Sequence, residues 1–178
     1  MTDFEELKEV CRVACHERNA CRPGFEALML AENTAQLMHV WRQNWQDIYQ
    51  SKFSDVMARH IVRFHESEAL SREMRQSDVF VNESSERGLV IVSQPGGTIR
   101  VGGSAKCYVF GEPPAEIVAT DHAQVYCRTH GVKITLRGHS FAAVSAGDCE
   151  IFDRSFLKGS PDSIAVHGAA KYEHLTQI

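Results

Sequence analysis

Long apolar runs are missing from this sequence, since no stretch reaches the roughly 18 apolar residues that a bilayer-spanning helix needs. A secretory signal is missing as well. The segment from Met1 to Lys8 is acidic and has neither a basic start nor an apolar stretch. We therefore expect a cytoplasmic protein with no membrane partner.

An excess of basic residues is also missing. The chain has 19 Lys and Arg against 23 Asp and Glu, which gives a formal net charge of −4. Binding that depends on phosphate neutralisation needs a strongly basic surface. A nucleic-acid partner is therefore not expected.

The N-terminal part has the pattern of a helical domain over residues 1–77. Apolar residues at spacings of three and four predict a first helix over residues 3–19, and Arg22-Pro23-Gly24 separates it from a short helical segment over 25–30. Asn33 and Gln36 fit an N-cap with its capping-box partner, which predicts that a longer helix starts there.

Two later segments continue the helical pattern. Residues 53–64 place apolar side chains at helical spacings, and Ser67 fits the N-cap of a last helix that ends near Ser77. The predicted helices carry candidate interface residues: Trp41 and Trp45 one turn apart, and Arg59 and Arg63 in a basic strip. The alternatives are a core position for the tryptophans and a solvated helix face for the arginines.

From Val79 onward the period changes to two, which predicts short strands in a domain over residues 78–178. From Ala105 the strand starts are 10, 8, 9, 8 and 9 residues apart, which indicates an internal repeat with two strands in each coil of 17 or 18 residues. The predicted fold is therefore α+β, with an N-terminal helical region followed by a short-rung β-solenoid. An antiparallel β-sandwich with equal strands is the alternative.

Equivalent residues of a solenoid stack on one another at the strand spacing of about 4.8 Å. We predict two such series, Ala105–Ala123–Ser140 and Ala115–Val132–Cys149. The predicted inward residues are mostly small, as two closely packed sheets require: Ala105, Cys107, Val109, Ala115, Ile117, Ala119, Ala123, Val125, Cys127, Val132, Ile134 and Leu136. Beyond Phe156 the pattern weakens, with one further strand expected near residues 164–166.

Cysteine and histidine provide the candidate chemistry. Cys11, Cys15, His16 and Cys21 are the densest set of metal-type ligands, and three thiolates with an imidazole suit tetrahedral zinc. The alternative is that Cys11 and Cys15 pack as small hydrophobes on the apolar side of the first helix. With no export signal, we expect the six cysteines to be reduced thiols.

Two histidines fall at equivalent places of the repeat. His122 and His139 are 17 residues apart, so in a two-strand solenoid they would stack at equivalent corners and form part of an interface. The alternative is that they are solvated turn residues. Cys127 with His130, or Cys15 with His16, could be a nucleophile and a base, but the sequence shows no third member of either site.

Two segments resemble short-repeat β-solenoid proteins of gut bacteria and their mobile elements, in which Gly/Asp-x-Ala-x-Val-x-Ala units follow a helical region. The segments are Gly103-Ser104-Ala105-Lys106-Cys107-Tyr108-Val109 and Asp121-His122-Ala123-Gln124-Val125-Tyr126-Cys127, while Pro113-Pro114 and Phe141 depart from the pattern. The resemblance implies the solenoid fold and a mobile-element neighbourhood. It brings no established activity with it.

These observations favour a non-enzymatic module that binds a protein partner or acts as a scaffold, with no cofactor and with a homodimer as one way to cover an open solenoid end. A counter-defence inhibitor, such as an anti-CRISPR or anti-restriction protein, is a hypothesis by analogy. The alternative function is a metal-dependent or Cys/His hydrolase, with its site at the solenoid corners or the domain junction.

Overall fold

A computed structural model describes most of the chain, and the chain divides into two compact units, Met1–Val81 and Asn82–Ile178. The predicted helix over residues 53–64, apart from His60 and Phe64, and the candidate interface residues Arg59 and Arg63 lie outside the described residues. The described residues are 2–17, 21–50, 60, 64, 66–93, 96–109, 111, 114 and 116–175.

Four helices are described in the first unit: α1 (Asp3–Glu17), α2 (Arg22–Leu30), α3 (Thr34–Gln50) and α4 (Glu68–Gln76). The short second helix begins three residues earlier than predicted. It includes Pro23 in its first turn, where the backbone N–H that proline lacks has no helical partner in any case.

The predicted helix caps are present. The Asn33 side chain accepts a hydrogen bond from the Gln36 N–H (3.0 Å), and the Gln36 side chain accepts one from the N–H of Glu32 (2.7 Å) rather than of Asn33. Ser67 is the N-cap of α4 and accepts from the Leu70 N–H at 3.5 Å.

The core of the first unit is built around the two tryptophans. Trp41 and Trp45 are each 1% exposed, and their ring centroids lie 5.3 Å apart. Leu7, Leu37 and Met38 are completely buried as well. The helices are therefore held by a dense apolar core, in which both indoles are structural.

The second unit is a parallel β-solenoid of about five turns with short rungs. Strand β1 (Val79–Val81) belongs to the first unit. The strands that follow it have the bounds β2 (Leu89–Val92), β3 (Thr98–Val101), β4 (Lys106–Val109), β5 (Glu116–Ala119), β6 (Gln124–Cys127), β7 (Lys133–Leu136), β8 (Phe141–Val144), β9 (Asp148–Ile151), β10 (Phe156–Gly159), β11 (Ser163–Val166) and β12 (Lys171–His174).

These strands form two facing sheets. The even-numbered strands β2 to β12 follow one another in the first sheet, and the odd-numbered strands β3 to β11 follow one another in the second. Each coil contributes one strand to each sheet, and all described pairings between these strands are parallel. The α+β solenoid is confirmed, and the antiparallel sandwich is not supported.

The first predicted stacking series is confirmed. The Ala105 carbonyl accepts from the N–H of Gln124 and the Ala123 carbonyl from that of Phe141, both at 2.9 Å. Gln124 and Phe141 are themselves paired in the register of β6 and β8, which places Ser140 above Ala123.

The second series is wrong at its last step. Cys149 pairs with Ile134, not with Val132, and Ala115 lies outside the described residues. The turn between β8 and β9 has three residues, whereas the equivalent turn one coil earlier, between β6 and β7, has five. Partners on the later coils are therefore 15 residues apart, as Ser163 and Asp148 are.

The repeat also continues further than predicted. Beyond Phe156 the structure adds β10, β11 and β12 rather than a single strand. The inward position that Val144 fills on β8 is taken by Gly159 on β10, which has no side chain and so gives no apolar signal. The predicted inward residues that the structure describes are all completely buried: Ala105, Cys107, Val109, Ile117, Ala119, Ala123, Val125, Cys127, Val132, Ile134 and Leu136.

Candidate functional site

The turns between the second and first sheets share one geometry, which aligns their side chains in rows. Asp121, Gly138 and Asp153 occupy the same turn position and have positive φ angles of 55°, 69° and 60°. The Asp121 carboxylate accepts a hydrogen bond from the Gly103 N–H (3.3 Å), and the Asp153 carboxylate accepts one from the Gly138 N–H (2.9 Å). Each aspartate thus joins its corner to the corner one coil earlier.

These corners carry a row of histidine, arginine and phenylalanine side chains, which we call the corner row: His122, His139, Arg137, Phe152 and His167. The His122 and His139 rings are stacked with centroids 5.4 Å apart, as the sequence predicts. The Arg137 guanidinium lies 4.4 Å from the Phe152 ring centroid. The His167 ring stacks on the same Phe152 ring, with 4.5 Å between the two centroids.

The corner row is of mixed charge. His167 Nε2 lies 3.2 Å from a carboxylate oxygen of Glu150, and the corner also contains the carboxylates of Asp121 and Asp153. This arrangement suits a solvated, ordered edge better than a polyanion site. A role of His122 and His139 in an interface stays a prediction.

A second row lies on the outer surface of the first sheet, and we call it the aromatic row: Tyr108, Tyr126, Phe141 and Phe156. The Tyr108 and Tyr126 rings are stacked at 4.6 Å with 9° between their planes. The Tyr126 and Phe141 centroids are 6.2 Å apart, edge to face, and those of Phe141 and Phe156 are 5.8 Å apart. Four successive coils therefore carry contacting aromatic rings.

The aromatic row becomes more exposed along the chain. Tyr108 is 2% exposed, whereas Tyr126, Phe141 and Phe156 are half-buried. Burial raises the pKa of the Tyr108 and Tyr126 hydroxyls, so both stay neutral. The last three rings present ordered apolar surface.

The outer surface of the second sheet is different, because polar and charged side chains are paired along it. Thr98 donates to Glu116 (3.3 Å), and the Lys133 ammonium lies 3.9 Å from Glu116 and 3.8 Å from Glu150. Such exposed pairs contribute little stability and are typical of a hydrated surface.

The proposed zinc ligands differ widely in exposure. Cys11 is 1% exposed, while His16 and Cys21 are exposed and Cys15 is half-buried. Burial raises the pKa of the Cys11 and Cys15 thiols, and the proximity of Cys21 raises that of Cys15 further. Among the described residues no group of three or more His, Cys, Asp or Glu is placed to hold a metal ion. The zinc hypothesis stays a prediction without geometric support.

Cys127 and His130 are not arranged as a nucleophile and a base. The Cys127 thiol donates to the Thr129 carbonyl at 3.5 Å, and burial raises the pKa of that thiol to about 11. The His130 ring instead pairs with Asp162, at 2.9 Å from Nδ1 to a carboxylate oxygen. A thiol with a raised pKa is a weak nucleophile at neutral pH, because little thiolate is present.

The two tryptophans, proposed as interface residues, lie in the core of the first unit, which was the alternative interpretation. Sequence reasoning missed the aromatic row. A signal was present, because Tyr108 and Tyr126 recur 18 residues apart in equivalent units and Phe141 departs from the repeat pattern. An aromatic residue at an outward repeat position is such a signal.

Two shallow concavities are lined by residues that the structure describes. One, of about 390 Å³ in the first unit, is apolar and is bordered by Leu30, which is 77% exposed. The other, of about 320 Å³ in the second unit, has a mixed lining, which includes Ser84, Arg100 and Val118. Neither contains a cluster of reactive side chains among the described residues that line it.

The fold thus defines an α+β protein whose second unit is a two-sheet parallel β-solenoid. Neither protein-family models, nor curated proteins, nor solved structures give a match to this chain. Within the part of the chain that the structure describes, every helix is too short or too polar to cross a membrane. A functional argument therefore depends on the surfaces described above.

Proposed function

We propose that the protein is a non-enzymatic protein-binding module, which binds a protein partner through the aromatic row of the first sheet. The observation that carries this proposal is the run of half-exposed, mutually packed rings of Tyr126, Phe141 and Phe156. Aromatic residues are enriched in protein interfaces. Rings that already contact one another lose little conformational freedom on binding.

The sheet beneath the aromatic row supports this role, because it holds the rings in fixed register. Tyr126, Phe141 and Phe156 alternate with the inward residues Val125 and Leu157, which are completely buried. A partner would therefore meet a preformed surface. The ion-paired outer surface of the second sheet has no comparable apolar area.

The neighbours of the aromatic row indicate the chemistry of the partner. In the register of the first sheet, the position of Phe156 and Phe141 is held on the two preceding coils by Gln124 and then Lys106. Lys106 is exposed. A complementary partner has an apolar surface with a carboxylate beside it. The three coil steps from Lys106 to Phe156 span about 14 Å. A partner helix of about ten residues has that length.

The proposal extends to a cytoplasmic homodimer and to the counter-defence role suggested by the resemblance to mobile-element repeat proteins. Self-association is supported by apolar side chains left exposed on the last coil, among them Val166, which is 48% exposed. The counter-defence role is supported by the sequence resemblance alone.

Affinity capture with quantitative mass spectrometry tests the aromatic row. The wild-type chain, a Phe141→Ala/Phe156→Ala variant and a Glu116→Ala control on the second sheet are used as baits in cells that produce the chain naturally. A protein counts as a partner only if the double variant loses it and the control retains it. Its purified form is then expected to bind the double variant at least about tenfold more weakly.

Thermal unfolding of each bait shows that the variants are folded. A Lys106→Glu variant is expected to weaken binding as well, because it places two carboxylates together. Equal capture by the folded double variant, or no specific capture by the wild-type chain, contradicts the proposal.

A further inference from the structure

The last coil of the solenoid exposes side chains that the earlier coils bury. Cys149 and Ile151 on β9 are 3% and 0% exposed, whereas their partners on β11 are the half-exposed Ile164 and Val166, which is 48% exposed. Among the described strands, β11 and β12 are the last of their sheets. Each therefore presents an edge of backbone N–H and C=O groups, and the inward positions of β11 are apolar.

We propose that a second copy of this chain covers the last coil. β12 and β11 would each pair antiparallel with their counterparts in the second copy. One two-fold axis would relate both pairs, and it would pass through Tyr172 on β12 and Ala165 on β11. This inference rests on the homodimer included in the proposed function and specifies its contact. The two sheets would then continue from one copy into the other.

Charge complementarity on the first sheet supports this register. In an antiparallel pair centred on Tyr172, Lys171 of one copy lies opposite Glu173 of the other, and both residues occupy outward positions. Glu173 already contacts Lys158 one coil earlier, at 3.1 Å. The second copy would therefore extend an alternation of charges: Lys158, Glu173, then Lys171 of the other copy.

The apolar residues of the second sheet agree with the same axis. An antiparallel pair centred on Ala165 places Ile164 opposite Val166 of the other copy at the inward positions that the last coil leaves exposed. The small Ala165 side chain lies on the axis, where two copies of the same residue approach most closely.

The turn between the two strands makes one axis sufficient for both sheets. β11 ends at Val166 and β12 begins at Lys171, so Ala165 and Tyr172 are each the second residue from the same turn. They lie at the same level along the strand direction. A two-fold axis perpendicular to the sheets therefore passes through both positions, as an isologous dimer requires.

Charge exchange tests this contact. Lys171→Glu places two carboxylates opposite each other at two symmetric positions, and it is expected to raise the dimer dissociation constant about tenfold or more. The variant Lys171→Glu/Glu173→Lys restores opposite charges and is expected to recover most of the affinity. Analytical ultracentrifugation measures both variants, and thermal unfolding shows that they are folded.

Disulfide trapping tests the position of the axis. An Ala165→Cys variant is expected to form a covalent dimer on mild oxidation, because the two thiols face each other. Ser163→Cys is the matched control, since it lies two residues from the axis and its two copies would be separated by about four residues of strand, or 13 Å. The wild-type cysteines set the background on non-reducing gels.

The outcomes separate the two levels of the proposal. A monomeric wild-type chain overturns the homodimer itself. A dimeric wild-type chain whose affinity is unaffected by Lys171→Glu, or in which Ser163→Cys cross-links as well as Ala165→Cys, overturns the contact and leaves the homodimer in place.

Discussion

The Asp153 carboxylate accepts a hydrogen bond from the backbone N–H of Gly138, with 2.9 Å between Oδ2 and N. Asp153 has a φ of 60°, and Asp121, two coils earlier, makes the same contact with Gly103 at 3.3 Å and has a φ of 55°. Aspartate tolerates the left-handed conformation better than most residues and supplies an acceptor at the same time. Two requirements of the corner are thus met by one residue.

We expect Asp153→Ala to lower the free energy of unfolding by roughly 2–3 kcal/mol, because it removes a charge-assisted hydrogen bond and places a β-carbon at positive φ. Asp153→Gly also removes the hydrogen bond, but glycine adopts a positive φ without strain. We therefore expect it to destabilise the protein by about 1 kcal/mol less than Asp153→Ala does. Urea denaturation measures both variants. Alanine and glycine variants of equal stability would contradict this account of the corner.

Gly159 lies where the chain leaves no room for a side chain. A β-carbon there would be 1.8 Å from the Val144 carbonyl oxygen, and the φ of Gly159 is 136°. We expect Gly159→Ala to destabilise the protein by more than about 4 kcal/mol or to prevent folding of the late coils. Circular dichroism and urea denaturation measure the effect.

Gly131→Ala is the matched control for this prediction. Gly131 also has a positive φ, of 78°, but a β-carbon at this position would have no atom within 4 Å. The strain of a β-carbon at positive φ alone predicts that the free energy of unfolding falls by about 1 kcal/mol. Similar losses in both alanine variants would show that close packing at Gly159 is not the deciding factor.

Asp162 connects the corners on the opposite side of the solenoid and makes stability depend on pH. The Gly147 N–H, which donates to Asp162 at 2.7 Å, and the His130 ring hold the pKa of that carboxyl below its usual value of 3.8. A lowered pKa in the folded state stabilises the protein above the usual value, and this stabilisation is lost as pH falls through the lowered one.

We therefore expect Asp162→Asn to be less stable than the wild-type chain at neutral pH and to approach it as the pH falls below about 4. Melting temperatures measured across an acid series test this. A stability difference that stays constant, or grows, in acid would contradict the assigned contacts.

The cysteines should differ widely in reactivity. Burial raises the pKa of Cys149 to about 12 and that of Cys127 to about 11, and both thiols are enclosed by the solenoid. Cys21 is exposed. We expect a thiol reagent at neutral pH to label Cys21 first and to reach the solenoid cysteines only after unfolding. Peptide mapping after timed alkylation measures this, and early labelling of Cys127 or Cys149 would contradict it.

Much of the solenoid could be predicted from short-range signals. The alternation around Val125 and Ile134 fixed which side chains face inward, and the recurrence of Ala105, Ala123 and Ser140 fixed the first register. The prediction was wrong where the period changed. Because one turn is two residues shorter, the strand partner of Cys149 is Ile134 instead of Val132. The length of a turn cannot be read from the pattern of apolar residues.

The candidate surface was harder to predict than the fold. Tyr126 and Phe141 are 15 positions apart and belong to different outward positions of the repeat, so no periodic pattern joins them. Their contact depends on the diagonal approach of long side chains on neighbouring strands. For Trp41 and Trp45 the difficulty is different. Their residue type and spacing fit either a core or an interface, so the sequence does not decide between the two.

The sequence alone determined that this chain pairs a helical unit with a repeated two-strand coil, because helix and strand periods and the recurrence of small inward residues are local properties. Only the tertiary structure decided which outward side chains meet in the aromatic row and which inward side chains of the last coil stay exposed. Both depend on register between coils, and register is set by turn lengths and by contacts between residues far apart in the chain.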